Sequence, residues 1–281
     1  MNMKKLIALM MAVCLLASMM TFAAAEEQPV RRFKYKRTSM EVTVGDHTVK
    51  GYLYMPKNTD GPVPMVIACH GFGANHENLL YLCDKLARQG IASCTFDFWG
   101  GSAFSISGGS MADMSAVTEQ QDLDAVVDYV AALDGVDAER ICLMGHSQGG
   151  FVAVLEAVTV PEKIHALYLY APALHIPEAM TAANPDPEKV EAVVSGYNTI
   201  GVRYVQDVWG MDIYAKMPAF PGKVLILHGD LDDAVAMSFS ERAVEAFPDA
   251  ALTVQVGASH TLPDPVQDVL IQMIADHLYA E

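Results

Sequence analysis

Positive charge is scarce in this chain. Only 18 lysines and arginines stand against 34 aspartates and glutamates in 281 residues, a formal net charge of −16. So acidic a surface repels nucleic acid and anionic membranes, and partners of that kind are not expected. The one basic run, "RRFKYKR" at residues 31–37, alternates Phe33 and Tyr35 with charges. It reads as a solvated edge strand rather than a binding patch. Cysteine is sparse too, with five in the chain. Cys69, Cys83, Cys94 and Cys142 fall in apolar runs or a helical pattern, at spacings that suggest neither a disulfide framework nor a zinc site. They read as buried free thiols. No internal repeat or low-complexity tract stands out, which sets aside solenoids and arrays.

A long charge-free run opens the sequence. "MNMKKLIALMMAVCLLASMMTFAAAEE" places Lys4 and Lys5 ahead of an apolar stretch, then Ala23-Ala24-Ala25 ahead of Glu26. This is the pattern of a secretory signal, with cleavage expected after Ala25 and the protein outside the cytoplasm. The competing reading is an uncleaved membrane anchor, since the run approaches the ~20 residues that span a bilayer. Loss of residues 1–25 removes two lysines and takes the net charge to −18. Residues 26–281 are then expected to form one domain, long enough for a substantial core at 52% hydrophobic residues.

The apolar runs set the fold class. "MEVTVGDHTVKGYLYMP" (40–56) alternates and turns near Gly45-Asp46, as an antiparallel hairpin does. Six later runs, at 64–70, 91–98, 140–146, 165–172, 223–229 and 252–256, read as strands buried on both faces. Amphipathic stretches lie between most of them. "TEQQDLDAVVDYVAAL" (118–133) opens on a Thr-x-x-Gln capping box and lines up Leu123, Val126, Val127 and Val130. Strand and helix in alternation imply an α/β fold, a mostly parallel central sheet flanked by helices. Residues 173–221 break the alternation with scattered prolines and with Tyr197, Tyr204, Trp209 and Tyr214. A link that long predicts a helical cap inserted over the sheet edge.

Chemistry concentrates at the strand ends, where ligands sit in open α/β sheets. "ICLMGHSQGG" (141–150) carries a strand into a helix through Ser147, flanked by Gly145 and Gly149. Those glycines allow the sharp turn that presents a serine hydroxyl outward. A serine nucleophile needs a base, and of nine histidines His260 follows the last predicted strand. The base needs an acid, and "LHGDLDDAV" offers Asp230, Asp232 and Asp233. An oxyanion needs two donors. The N–H groups of Gln148 and of Phe72, in "HGFGANHEN" (70–78), are the natural pair.

These segments resemble the α/β-hydrolase serine esterases, and within them the bacterial cinnamoyl and feruloyl esterases. The likeness runs from about residue 40 to the end, through "HGFGAN", "GHSQGG", "YLYAPALHIPEAM", "GVRYVQDVWGMDIYAKM", "VLILHGDLDDAV" and "GASHTL". It implies Asp232 as the acid, because the form is His-Gly-x-x-Asp-x-x-Val and Val235 completes it. It supports Phe72 and Gln148 as oxyanion donors and implies that Tyr204 reaches the phenolic end of a hydroxycinnamate. Trp99 departs from the family's usual arginine or tyrosine and is expected to reshape one wall of the acyl pocket. The resemblance implies a carboxylesterase acting through an acyl-enzyme on small esters, feruloyl-type or other plant-derived aromatic ones foremost, with neither metal nor organic cofactor. Short-chain esters, acylglycerols and peptides are alternatives within the same chemistry. A ligand-binding protein on the same scaffold is the alternative outside it.

Overall fold

The structure is a computed structural model and describes residues 32–195 and 198–280. The expected signal at 1–25 and the cap residue Tyr197 lie outside the described residues. Arg32 onward forms one compact unit. The chain opens with a hairpin, β1 (Tyr35–Val44) and β2 (His47–Pro56), turning at Gly45-Asp46. β1 is an outer edge of the main sheet. Then follow β3 (Val63–Cys69), α1 (Leu80–Arg88), β4 (Ala92–Asp97), α2 (Ala116–Ala131), β5 (Val136–His146) and α3 (Gln148–Thr159). β6 (Ala166–Tyr170) leads into the insertion, after which come β9 (Lys223–Gly229), α6 (Met237–Ala246), β10 (Ala250–Gln255) and α7 (Asp264–Ala280).

The eight strands run in the order β1-β2-β4-β3-β5-β6-β9-β10. β1, β2 and β4 pair antiparallel, and every later pairing is parallel. All seven residues of β3 and all six of β4 are buried. Successive residues of β3 face opposite layers because a strand repeats every two residues. Met65 and Ile67 pack with Leu123, Val126 and Val130 of α2 and Phe151 and Val154 of α3. Val66 and Ala68 pack with Leu82 and Leu86 of α1 and Leu270 and Ile274 of α7. A fully buried leucine or isoleucine contributes about 1.5–3 kcal/mol relative to exposure. Two apolar faces on one strand therefore demand helices on both sides.

Three details differ from the sequence reading. β10 is not buried on both faces: Thr253 and Val254 are exposed, because it is the other outer edge. α2 is capped by Ser115, whose side chain accepts from the Thr118 N–H while Thr118 Oγ1 accepts from the Ser115 N–H. Thr118 is thus the inner partner of the capping box, and the helix starts two residues before it. The insertion is only partly helical. It holds α4 (Ile176–Ala183), a short hairpin of β7 (Val193–Ser195) and β8 (Asn198–Ile200), α5 (Val202–Gln206) and a 3-10 stretch at Tyr214–Ala219. Its prolines, at 177, 185, 187, 218 and 221, limit each helix to a few turns.

Candidate active site

Ser147 stands between the end of β5 and the start of α3, with φ 55° and ψ −120°. A serine in the cap position usually turns its hydroxyl onto the helix's own N–H groups. Here it makes no such bond, and Oγ donates instead to His260 Nε2 at 2.9 Å. The strained turn is held on both sides. The Ser147 N–H donates to the Tyr170 carbonyl, and the Ala173 N–H donates to the Ser147 carbonyl. The flanking glycines serve close approach rather than positive φ. A Cβ on Gly145 would lie 2.4 Å from the Gly149 carbonyl oxygen, and one on Gly149 would lie 2.4 Å from the carbonyl oxygens of Cys69 and His70. Those atoms are backbone and have nowhere to move. Gly149→Ala is therefore expected to lower unfolding free energy by about 1–3 kcal/mol in urea titration. An unchanged midpoint would mean that α3 does not start against β3.

His260 Nδ1–H donates to Asp232 Oδ2 at 2.8 Å. The other carboxylate oxygen, Oδ1, accepts from the N–H groups of Ala234 (2.9 Å) and Val235 (2.8 Å). Burial opposes ionisation of Asp232, but these N–H donors and His260 outweigh it and hold the carboxyl below its ordinary value. His228 braces the same turn. Its Nε2–H donates to the Val235 carbonyl and lies 3.3 Å from Asp232 Oδ2, while Nδ1 accepts from Ser240. Of the neighbouring acids, Asp230 accepts from the Gly257 N–H and Asp233 is exposed.

The second loop comes within reach of the nucleophile: a Cβ on Gly71 would lie 3.2 Å from Ser147 Cβ. The buried His70 accepts from the Phe98 N–H at Nε2, so Nδ1 carries the proton and donates to the Gly71 carbonyl at 2.9 Å. The Ala74 N–H donates to that carbonyl as well. In a trans peptide the C=O and the following N–H point in opposite directions. Anchoring the Gly71 carbonyl therefore turns the Phe72 N–H away from those partners. Neither the Phe72 nor the Gln148 N–H donates to another group among the described residues. Gln148 is the first residue of α3, where N–H groups are unpaired and the helix dipole favours negative charge.

The fold coincides with that of known proteins. Est1E from Butyrivibrio proteoclasticus, solved with ferulic acid bound, superposes with a TM-score of 0.78 and 26% identity, covering 86% of this chain and 100% of that one. Residues 60–197 match the family described as "Serine aminopeptidase, S33". The chain has the α/β-hydrolase fold. Among curated relatives, the quorum-quenching protein AidA of Acinetobacter baumannii is 29% identical over 115 residues, 40% of this chain and 36% of that protein. The esterase FrsA of Yersinia pestis is 26% identical over 153 residues, 54% of this chain and 35% of that one. The chain thus spans about a third of the length of those relatives.

Other parts of the chain support His260. His146 Nε2–H donates to the His260 carbonyl at 2.9 Å, and the Tyr170 hydroxyl donates to the Ser259 carbonyl. Burial, and His260 beside it, push the His146 imidazole down to about 4, so it stays neutral. The strand ends of β5 and β6 thereby pin consecutive carbonyls of the loop that carries His260.

The two residues expected to touch substrate both have partners within the protein. Tyr204 is buried beside the elbow, and its hydroxyl donates to Gln148 Oε1 at 2.6 Å. Trp99 packs its ring 4.9 Å from the ring of His47, and its backbone N–H donates to Asp122, which accepts from His47 as well. The β1–β2 turn takes that ring because His47 and Asp122 form a pair there. Cys69, Cys83, Cys94 and Cys142 are all buried. Among the described residues, no group of three or more His, Cys, Asp or Glu is arranged to hold a metal.

Glu119 was not singled out from sequence. It is fully buried on α2 and accepts from Gln148 Nε2 at 2.8 Å. A signal was present: Glu119 precedes Leu123, Val126 and Val130 by 4, 7 and 11 residues, an acid on the apolar face of its helix.

Proposed function

We propose that this hydrolase is an exported serine carboxylesterase, cleaving small esters through an acyl-enzyme, with hydroxycinnamate esters of the feruloyl type as its substrate class. The unbroken proton path carries this reading, 2.9 Å from Ser147 Oγ to His260 Nε2 and 2.8 Å from His260 Nδ1 to Asp232 Oδ2. Ser147 Oγ attacks the ester carbonyl carbon as its proton passes to His260 Nε2. The carbonyl oxygen, now an anion, lies against the N–H groups of Phe72 and Gln148. Collapse expels the alcohol, which takes the proton from His260. Water then repeats the sequence on the acyl-enzyme, releasing the acid and restoring Ser147. The ferulic acid bound to Est1E supports the acyl preference. Export is supported by Lys4, Lys5, the apolar run and Ala23-Ala24-Ala25, and N-terminal sequencing of the released protein tests it.

The deciding assay compares methyl ferulate with p-nitrophenyl butyrate, using Ser147→Ala as the blank. A higher kcat/KM on ferulate is expected. Turnover of butyrate alone would remove the aromatic preference and leave the esterase. No turnover of either above the blank would overturn the esterase reading. The match to a family of serine aminopeptidases favours amides as the second reading, which aminoacyl anilides test in the same plate.

A further inference from the structure

The two groups assigned to the oxyanion belong to residues far apart in sequence, Phe72 and Gln148, yet their side chains are joined. Gln148 is 1% exposed, and both ends of its amide are taken. Oε1 accepts from the Tyr204 hydroxyl at 2.6 Å, and Nε2 donates to Glu119 Oε2 at 2.8 Å. The Tyr204 ring meets the Phe72 ring edge to face, with centroids 5.7 Å apart at 71°. One chain of contacts therefore runs Phe72–Tyr204–Gln148–Glu119. It joins the loop after β3, the inserted cap, the start of α3 and the buried face of α2.

We propose that Tyr204 and Glu119 are positioning residues of the oxyanion hole. Acting through the side chains of Gln148 and Phe72, they fix the two N–H donors relative to each other. The inserted cap thus completes the catalytic site instead of only covering it. The Ser147 carbonyl, in the same peptide as the Gln148 N–H, is held by the Ala173 N–H, and the Gln148 side chain adds a second hold from the cap and from α2. Donors aimed at a developing charge lose much of their effect when displaced by a fraction of an ångström. The inference rests on the serine-hydrolase reading of Ser147, not on the choice of acyl group.

Glu119 adds a pH dependence. Burial raises its carboxyl to about 8 against the opposing hydrogen bond from Gln148, with Asp122 on the same helix raising it further. It is therefore neutral at pH 7. The groups facing it are Gln148 from α3, Tyr204 from α5, the Cys69 thiol from β3 and His70 across Gly101. Burial pushes the Cys69 thiol and the Tyr204 phenol up and the His70 imidazole down. Glu119 thus titrates just above neutrality, where those three do not. Its ionisation would place a negative charge behind the donors that must receive the oxyanion.

The test uses Tyr204→Phe, Glu119→Leu and Glu119→Gln, with p-nitrophenyl acetate and methyl ferulate as substrates. Tyr204→Phe is expected to lower kcat about tenfold on both esters, with KM within about twofold. Glu119→Leu should do the same, and Glu119→Gln should restore most of the loss because it keeps a hydrogen-bonding partner for Gln148. The wild type should lose activity above pH 8, and Glu119→Gln should lack that limb. A Tyr204→Phe effect confined to KM for ferulate would overturn the proposal in favour of a ligand contact. So would an alkaline limb unchanged in Glu119→Gln. Phosphonylation of Ser147 by a p-nitrophenyl phosphonate separates this from the ester reading. It needs the same oxyanion donors and no ester turnover, so slower labelling in Tyr204→Phe upholds the inference even where both esters are inert. Equal labelling overturns it.

Discussion

Asp232→Asn is expected to lower kcat about 10⁴-fold while leaving the fold intact. The structure decides which way the new amide would lie. Oδ1 of Asp232 accepts from two backbone N–H groups, those of Ala234 and Val235. The asparagine oxygen must stay there, since an NH₂ group would face two donors. The NH₂ then faces His260 Nδ1, which must become an acceptor. That places the imidazole proton on Nε2, where it points at Ser147 Oγ and cannot take its proton. Steady-state kinetics on p-nitrophenyl butyrate measures the loss, and the imidazole nitrogen resonances of His260 report the tautomer. Activity within tenfold of wild type would move the acid to Asp230 or Asp233. Stability should respond as well. The folded protein holds Asp232 below its ordinary value, so its contribution is full above about pH 4 and is lost as pH falls through the lowered pKa. Asp232→Asn should lack that acid-dependent part.

Ser147→Gly should abolish turnover and make the protein more stable. Removing the nucleophile of such a triad costs about 10⁶-fold in kcat, which leaves only background. The stability gain follows from the turn. At φ 55° and ψ −120°, Ser147 occupies a region that side chains disfavour, at a cost of about 1–3 kcal/mol. Glycine removes that strain but adds freedom to the unfolded chain, so a net gain of about 1 kcal/mol is expected. Ser147→Ala should lose the same activity without the gain, since alanine keeps a Cβ. Urea titration of the three proteins separates them. A glycine variant less stable than the alanine variant would mean that the freedom glycine adds to the unfolded chain outweighs the strain it removes. Strain held at the nucleophile by bonds to Tyr170 and Ala173 is what a presented hydroxyl requires.

Much of this was legible in one dimension. The apolar runs located the strands to within a few residues, because a strand buried on both faces leaves few polar positions. Ser147, His260 and the acids near Asp232 were legible because each follows such a run. Local capping was less so. Two hydroxyl residues stand three apart at the start of α2, and either could cap on pattern alone; Ser115 does so because its backbone is extended at that point. The cap is legible only in part, because its prolines and aromatics carry no clear period and a three-residue strand has no pattern to read.

What the sequence determined by itself is the order of elements and the identity of the reacting groups, since both follow from hydrophobic period and from residue type at strand ends. Only the tertiary structure decided how those groups are held. His146 and Tyr170 pinning the base loop, the Phe98 N–H fixing the tautomer with which His70 turns the Phe72 peptide, and Tyr204 joining Gln148 to Phe72 all link positions dozens of residues or more apart. A hydrogen bond depends on distances of tenths of an ångström and on donor direction. Those are set when the sheet, helices and cap pack together, and residue spacing along the chain does not encode them.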